Sequence, residues 1–313
     1  MKTLIRAIEV WVPDAEGQLL EFGDGLYGNA PQLRVASREM CFSRGEGLPG
    51  RAWDEARPIL LKDLQASYFR RASAAKAAHL TCAVALPIYL ADALKAVVVF
   101  FCGDAEDAGA IELWRNDPRV TPDMTLVDGY YGSTSQDFVQ ASGDTYLPRG
   151  TGLPGLAWSR QASVFMDRLT DISKFVRAQE AAAAGIERGL AIPCPVPGRD
   201  NYALTFLSAA SMPFAARVES WLPDPANGMA LRRAFGFRES LGKLPVGEGL
   251  VVLGSSEAMM ARAFTSAVPQ LWRQSDALPG ADSAMLAASR LGGMLALPIT
   301  GDGVVTEVVA IYF

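Results

Sequence analysis

The 313-residue sequence predicts an α+β chain of three tandem units, each an antiparallel sheet flanked by helices. Three recurring phrases predict it, because they keep one order and one spacing of about 105 residues. The first is RGEGLPGRAW (Arg44–Trp53) and RGTGLPGLAW (Arg149–Trp158). The second is IEVWVPD (Ile8–Asp14), IELWRND (Ile111–Asp117) and VESWLPD (Val218–Asp224). The third is ALPI (Ala85–Ile88), AIPC (Ala191–Cys194) and ALPI (Ala296–Ile299). The units run approximately 1–103, 104–210 and 211–313, with the short segments CGDAEDAGA and SAASMPFAA as joints. Joints so short predict neighbours that pack closely.

Each unit opens on an alternating strand, Ile8–Val12 in the first, whose tryptophan (Trp11, Trp114 or Trp221) caps the core. Two β-rich segments with Gly/Asp turns follow, as in LLEFGDGLYG. The glycine phrase then makes a tight turn into a short helix, with Pro49 or Pro154 in its first turn. A strand comes next, PILLKDL or SVFMDRL, then an Ala-rich helix in FRRASAAKAAHL, FVRAQEAAAAGI and DSAMLAASRL. Each unit closes on two paired strands, AVALPIYL with KAVVVFF, LAIPCPV with YALTFL, and LALPIT with EVVAIYF, joined by hairpin turns.

The third unit diverges. VGEGL (Val246–Leu250) resembles the glycine phrase but stands too close to Glu219. Arg51, Ala52, Trp53 and Pro58 recur instead as Arg262, Ala263, Phe264 and Pro269, each 211 positions on. The third unit therefore carries SEAMMA (Ser256–Ala261), a glycine-free and helix-favouring run, where the others carry the glycine turn. A glycine-rich phrase before a helix can cradle a phosphate. This one lacks the lysine of a P-loop, and its third copy dispenses with it, so the turn reads as structural.

Composition narrows the function. Half the residues are hydrophobic and the net charge is −5, which predicts a globular chain with neither nucleic acid nor a membrane as its partner. No apolar run approaches the roughly 20 residues of a membrane helix, and the N-terminus lacks a signal-peptide pattern. Cys41, Cys82, Cys102 and Cys194 show no CxxC spacing, so a reduced cytoplasmic protein is expected. With His79 the sole histidine, a catalytic triad or a multi-histidine metal site is not expected.

The sequence resembles the GAF family through GEGLPGRAWDEARPILLKDL, the FRRASAAKAAHL helix, CAVALPI and the hairpin strand after it. The first two copies match well, and the third in its latter half and spacing. The resemblance implies three tandem GAF-like domains of the PAS/GAF, profilin-like type. Each would be a six-stranded antiparallel sheet with a pocket on one face, roofed by the Ala-rich helix. GAF domains commonly bind small molecules or dimerise in sensory proteins. The expected function is therefore a non-enzymatic bacterial signalling or regulatory protein that binds an unidentified small molecule, a signalling protein or both, as a homodimer. The residues name no cofactor. No stretch of this sequence is left over for a kinase or helix-turn-helix output, and neither the bilin-attachment nor the cyclic-nucleotide signature is present. One alternative is a scaffold or dimerisation protein whose pockets are filled by its own side chains. Another is a thiol-based reductase of free methionine sulfoxide, which would need a reactive thiolate and a resolving thiol.

The pocket residues the resemblance implies are Asp63, Tyr68, Phe69, Arg70, Arg71, His79 and Cys82 in the first unit, and Asp167, Phe175 and Arg177 in the second. The arginines either meet an anionic ligand, or form a solvated face or a salt bridge to Asp63 or Asp167. Met259, Met260, Met285 and Met294 would fill the corresponding space in the third unit, which places ligand binding in the first or second.

Overall fold

A computed structural model describes residues 2–103, 106–198, 200–247, 250–253, 259–273 and 292–313. The first unit runs β1 (Ile5–Pro13), β2 (Leu19–Leu26), α1 (Pro31–Arg38), β3 (Cys41–Ser43), α2 (Gly47–Asp54), β4 (Ile59–Leu61), α3 (Ala72–Ala77), β5 (Leu80–Leu90) and β6 (Ala93–Gly103). The second repeats it as β7 (Ala108–Asn116), β8 (Met124–Gly132), α4 (Gln136–Asp144), β9 (Tyr146–Leu147), α5 (Gly152–Arg160), β10 (Val164–Met166), α6 (Ala178–Ala183), β11 (Arg188–Cys194) and β12 (Asn201–Ser208). The third has β13 (Arg217–Asp224), β14 (Asn227–Arg238), β15 (Gly242–Lys243), β16 (Leu250–Val252), α7 (Met259–Ser266), β17 (Gln270–Arg273), β18 (Gly293–Gly301) and β19 (Val304–Tyr312).

The three antiparallel sheets share one strand order: β3-β2-β1-β6-β5-β4, then β9-β8-β7-β12-β11-β10, then β15-β14-β13-β19-β18-β17. α7 leads into β17 as α2 leads into β4, so the Arg262 register is the one the fold uses. Residues 256–258 of the glycine-free run, Met285 and the third Ala-rich segment lie outside the described residues.

Two features depart from the sequence reading. Helices α1 and α4 stand between the second and third strands, where only β structure was expected. Pro31 opens α1, and the Ser135 hydroxyl caps α4 by accepting from the Phe138 amide. The Ala-rich helices of the first two units, α3 and α6, hold six residues each. They are cut short by left-handed residues, His79 (φ 54°) after α3 and Gly185 (φ 69°) after α6.

Strand alternation sorts the apolar side chains into two kinds of core. On β6, Val97, Val99 and Phe101 join the first unit's own helices, with Trp11, Phe42 and Phe69. Ala96, Val98, Phe100 and Cys102 turn the other way. They meet Leu204 and Phe206 of β12 and Val309 and Ile311 of β19 in one core common to all three units. Sheets covered on both faces need strands that are apolar throughout, which is why these runs read VVVFFC and EVVAIYF and not as simple alternation.

The recurring Pro-Ile phrase sets the centre. The edge strands pair only as far as Ala85, Ala191 and Ala296. Two residues on, Pro87, Pro193 and Pro298 have no amide hydrogen to offer a ladder, so edge pairing stops there. The three freed strand segments converge, leaving a gap of about 10 Å³ lined by Leu86, Ile88, Ile192, Cys194, Ile299 and the prolines. That is no more room than one water needs.

At its rim each unit meets the next. Lys62 pairs with Asp128 (2.8 Å) between the first and second units. Phe165 stacks on Phe235 (6.0 Å) between the second and third, where Lys243 reaches Asp167 (3.3 Å). Arg273 binds the Asp24 carboxylate and the Gly25 carbonyl (2.9 Å) between the third and first. A head-to-tail contact used three times returns to its start, so the units close into a ring. Glu307 lies at the second-to-third joint, fully buried, accepting from the Ser163 amide (2.7 Å) and from the hydroxyls of Ser163 and Ser220. Burial holds its carboxyl above the ordinary glutamate range, against the pull of the two serines.

Candidate functional site

In the first two units a buried ion pair lies between the sheet and its helices. Glu9 sits on β1 between Ile8 and Val10, but its side chain faces inward and is fully buried. Trp11, two residues along the same face, donates its indole N–H to Glu9 (3.0 Å). The Tyr27 hydroxyl (3.1 Å) and the Ser37 hydroxyl (2.5 Å) also donate to it. Arg71, just before α3, places Nη1 2.5 Å from the same carboxylate. Its guanidinium lies among the rings of Phe69 (5.0 Å), Trp11 (5.4 Å), Phe101 (5.7 Å) and Phe42 (5.8 Å). Arg71 Nε and Nη2 have no oxygen partner among the described residues, and the ring faces take that role.

The second unit rebuilds the cluster. Glu112 accepts from Trp114 (3.0 Å), Tyr131 (3.2 Å) and both terminal nitrogens of Arg177 (2.5 and 2.9 Å), and Arg177 also bonds Ser142. Burial pushes the Glu112 carboxyl up, but Arg177 and the surrounding donors more than offset it, leaving it below the ordinary range. Burial, and next the adjacent carboxylate, push the Tyr27 and Tyr131 hydroxyls far above theirs. In the third unit the cation comes from elsewhere. Arg233 of β14 (2.9 Å) and Arg217 of β13 (2.7 Å) hold Glu219, joined by Trp221 (3.3 Å) and Tyr312 (3.1 Å). Met259, Met260 and Met294 are buried around Trp221. In the second unit, a carboxyl held low by a fixed guanidinium is a poor general base.

An open cleft of about 440 Å³ lies outside the first unit, over the glycine turn, lined by Arg44, Gly45, Glu46, Gly47, Arg51, Tyr68 and Arg70. The turn itself needs glycine: Gly45 and Gly47 have φ of 79° and 59°, and a Cβ on Gly50 would stand 2.1 Å from the Ser43 carbonyl oxygen. Arg51 lies 3.8 Å over the Tyr68 ring, and Arg70 Nη1 meets Glu46 at 2.6 Å. A smaller cavity of about 50 Å³ lies beside Arg6, Tyr27 and Asn29.

The residues the resemblance implied are thus distributed over several places. Tyr68 and Arg70 line the cleft. Phe69, Phe175, Arg71 and Arg177 belong to the buried clusters, and the arginines' partners are Glu9 and Glu112, not Asp63 and Asp167. Asp63 is exposed and accepts from the Gln65 and Ala66 amides of its own turn. Asp167 serves the joint to the third unit. His79 is exposed at the end of α3. Cys82 faces the common core, opposite Cys102, and burial raises its thiol well above the usual range. A buried thiol of that kind is no ready nucleophile. In the sequence Glu9, Glu112 and Glu219 stand out only as markers of the repeat. A carboxylate between apolar neighbours on an inward strand position, three times over, was the available signal for a buried pair.

The family profile described as GAF domain matches residues 5–116. The first unit is a GAF domain. The second and third repeat its strand order, so the chain is three tandem GAF-like domains. Similar solved structures include a free methionine-R-sulfoxide reductase from Neisseria meningitidis in complex with its substrate. It is 17% identical over 32% of this chain and 51% of that one, with a TM-score of 0.24. Another is the A. aeolicus nlh2 GAF domain in an inactive state, at 18% identity, 32% and 58% coverage and a TM-score of 0.26. A third is the NreA protein of Staphylococcus aureus mutated in its nitrate binding site, at 12% identity, 34% and 78% coverage and a TM-score of 0.28. The chain spans about half the length of the first two. No match to it was found among curated proteins. No helix among the described residues is long and apolar enough to cross a membrane.

Proposed function

We propose that this GAF protein works by binding, not catalysis, as a regulatory or signalling scaffold. Its interior pockets are filled by its own side chains, and it recognises a small molecule or a partner protein on the outer surface of the first unit. The observation that carries this reading is the Glu–Arg–Trp–Tyr–Ser cluster, built twice from equivalent positions and closed both times. Seating a ligand there would expel a guanidinium whose carboxylate then stays buried and unpaired, a loss of about 3–5 kcal/mol. The ring fixes the units against one another, so recognition falls to exposed surface, and the first unit carries an open cleft of about 440 Å³ there. The test is a crystal structure of the protein as purified, alongside native mass spectrometry. Arg71 and Arg177 should be found in place on Glu9 and Glu112, with any retained molecule outside the sheet-helix space. A ligand between sheet and helix in either unit would overturn the reading, as would steady methionine sulfoxide reduction that is lost in Cys82→Ser.

A further inference from the structure

The first two units share one glycine turn, and the differences between them act as an internal control. Counting from Gly47 and Gly152, Arg44 recurs as Arg149 and Trp53 as Trp158, each arginine near its tryptophan ring (5.7 and 5.6 Å). Glu46, however, becomes Thr151, and Arg51 becomes Leu156. Counting from Arg71 and Arg177, Tyr68 becomes Lys174 and Arg70 becomes Val176. The second unit folds the same turn, helix and strand without these four side chains. The fold therefore does not require them, and the first unit gathers all four around one opening.

Their chemistry is convergent. Three guanidiniums and one carboxylate line the cleft, an excess of positive charge on a chain of net charge −5. Arg44 gives Nε to Asp54 (3.3 Å) and Arg70 gives one terminal nitrogen to Glu46, leaving other donors on both. Arg51 has no acidic partner among the described residues and is held over Tyr68, so its fork is already ordered. Glu46 is itself pinned by the Ser43 amide (2.9 Å), which lowers its carboxyl, and it occupies the place an incoming anion would take on Arg70. Several guanidinium forks on one opening suit a group with several charged oxygens better than a lone carboxylate, and 440 Å³ is the size of a metabolite site.

Resting on the binding reading above, we propose that the cleft of Arg44, Arg51, Tyr68 and Arg70 binds the phosphate group of a small phosphate monoester, with Glu46 displaced from Arg70 when it binds. The probes are glycerol 3-phosphate and inorganic phosphate, titrated calorimetrically into the full chain at fixed ionic strength, with acetate as control. One saturable site per chain is expected for glycerol 3-phosphate, with acetate silent. Tighter binding of the ester assigns the monoester. Equal or tighter binding of inorganic phosphate overturns that assignment in favour of the free ion. The variant Arg51→Leu/Arg70→Val installs what the second unit carries and should fold, with affinity reduced at least about tenfold. Glu46→Thr, the second unit's other choice, should bind several-fold tighter and carries the test independently. No saturable binding, or unchanged affinity in these variants, overturns the proposal while the binding reading stands on other surfaces. Release of inorganic phosphate from the ester would instead overturn the non-catalytic reading.

Discussion

Arg177 and Glu112 form the buried ion pair of the second GAF-like unit. Both are buried, and the guanidinium gives the carboxylate two bonds. Arg177→Met should destabilise the protein by about 3–5 kcal/mol, because it strands a buried charge, and adding Glu112→Leu should recover most of that. Chemical denaturation of the two variants measures it; equal losses in both would contradict the pairing. Because the folded carboxyl titrates below its ordinary value, its stabilisation is full above the ordinary glutamate pKa and is lost as pH falls through the lowered one. Wild type should therefore lose more stability on acidification than Glu112→Gln. His79 offers a second residue-scale prediction. It holds a left-handed backbone where the second unit has Gly185, so His79→Gly should raise stability by about 1 kcal/mol, read from its denaturation midpoint. The sequence singles out Arg71 and Arg177, but not their partners. Glu9 lies 62 positions before Arg71, and only the fold brings them together.

At the element scale, the glycine turn and its helix were legible because their backbone demands are local. Gly50 and Gly155 approach carbonyl oxygens of Ser43 and Pro148 too closely for a Cβ (2.1 and 2.6 Å). Gly50→Ala should cost about 1–3 kcal/mol through overpacking, whereas Ala261→Gly, at the matching place on α7, should cost about 1 kcal/mol through helix propensity alone. Thermal melts of the two variants compare them, and equal shifts would mean that the turn is not what the glycine serves. Helices α1 and α4 escaped the sequence reading because they are short and mostly polar. They bury little beyond Leu33 and Ser37, or Phe138 and Ser142. The Ala-rich helices were overextended because alanine propensity carries no stop signal, and the stop in the first unit is a histidine.

For the whole molecule, the repeat period and the short joints were legible as three closely packed units. What no single phrase encodes is the closure. The core formed by β5, β6, β11, β12, β18 and β19 belongs to all three units, and Lys62–Asp128 and Arg273–Asp24 fasten different joints through equivalent positions. These partly exposed pairs are worth about 1 kcal/mol each, so they set register while the common core supplies cohesion. A unit removed from the ring would expose one whole face of its sheet. Closed in this way, the three GAF-like units should behave as one cooperative body that presents the cleft of the first. Differential scanning calorimetry measures that cooperativity. The ring predicts a single transition with an enthalpy on the order of 200 kcal/mol near 60 °C and a calorimetric to van't Hoff ratio close to one. Three separable transitions, or a ratio near three, would contradict it.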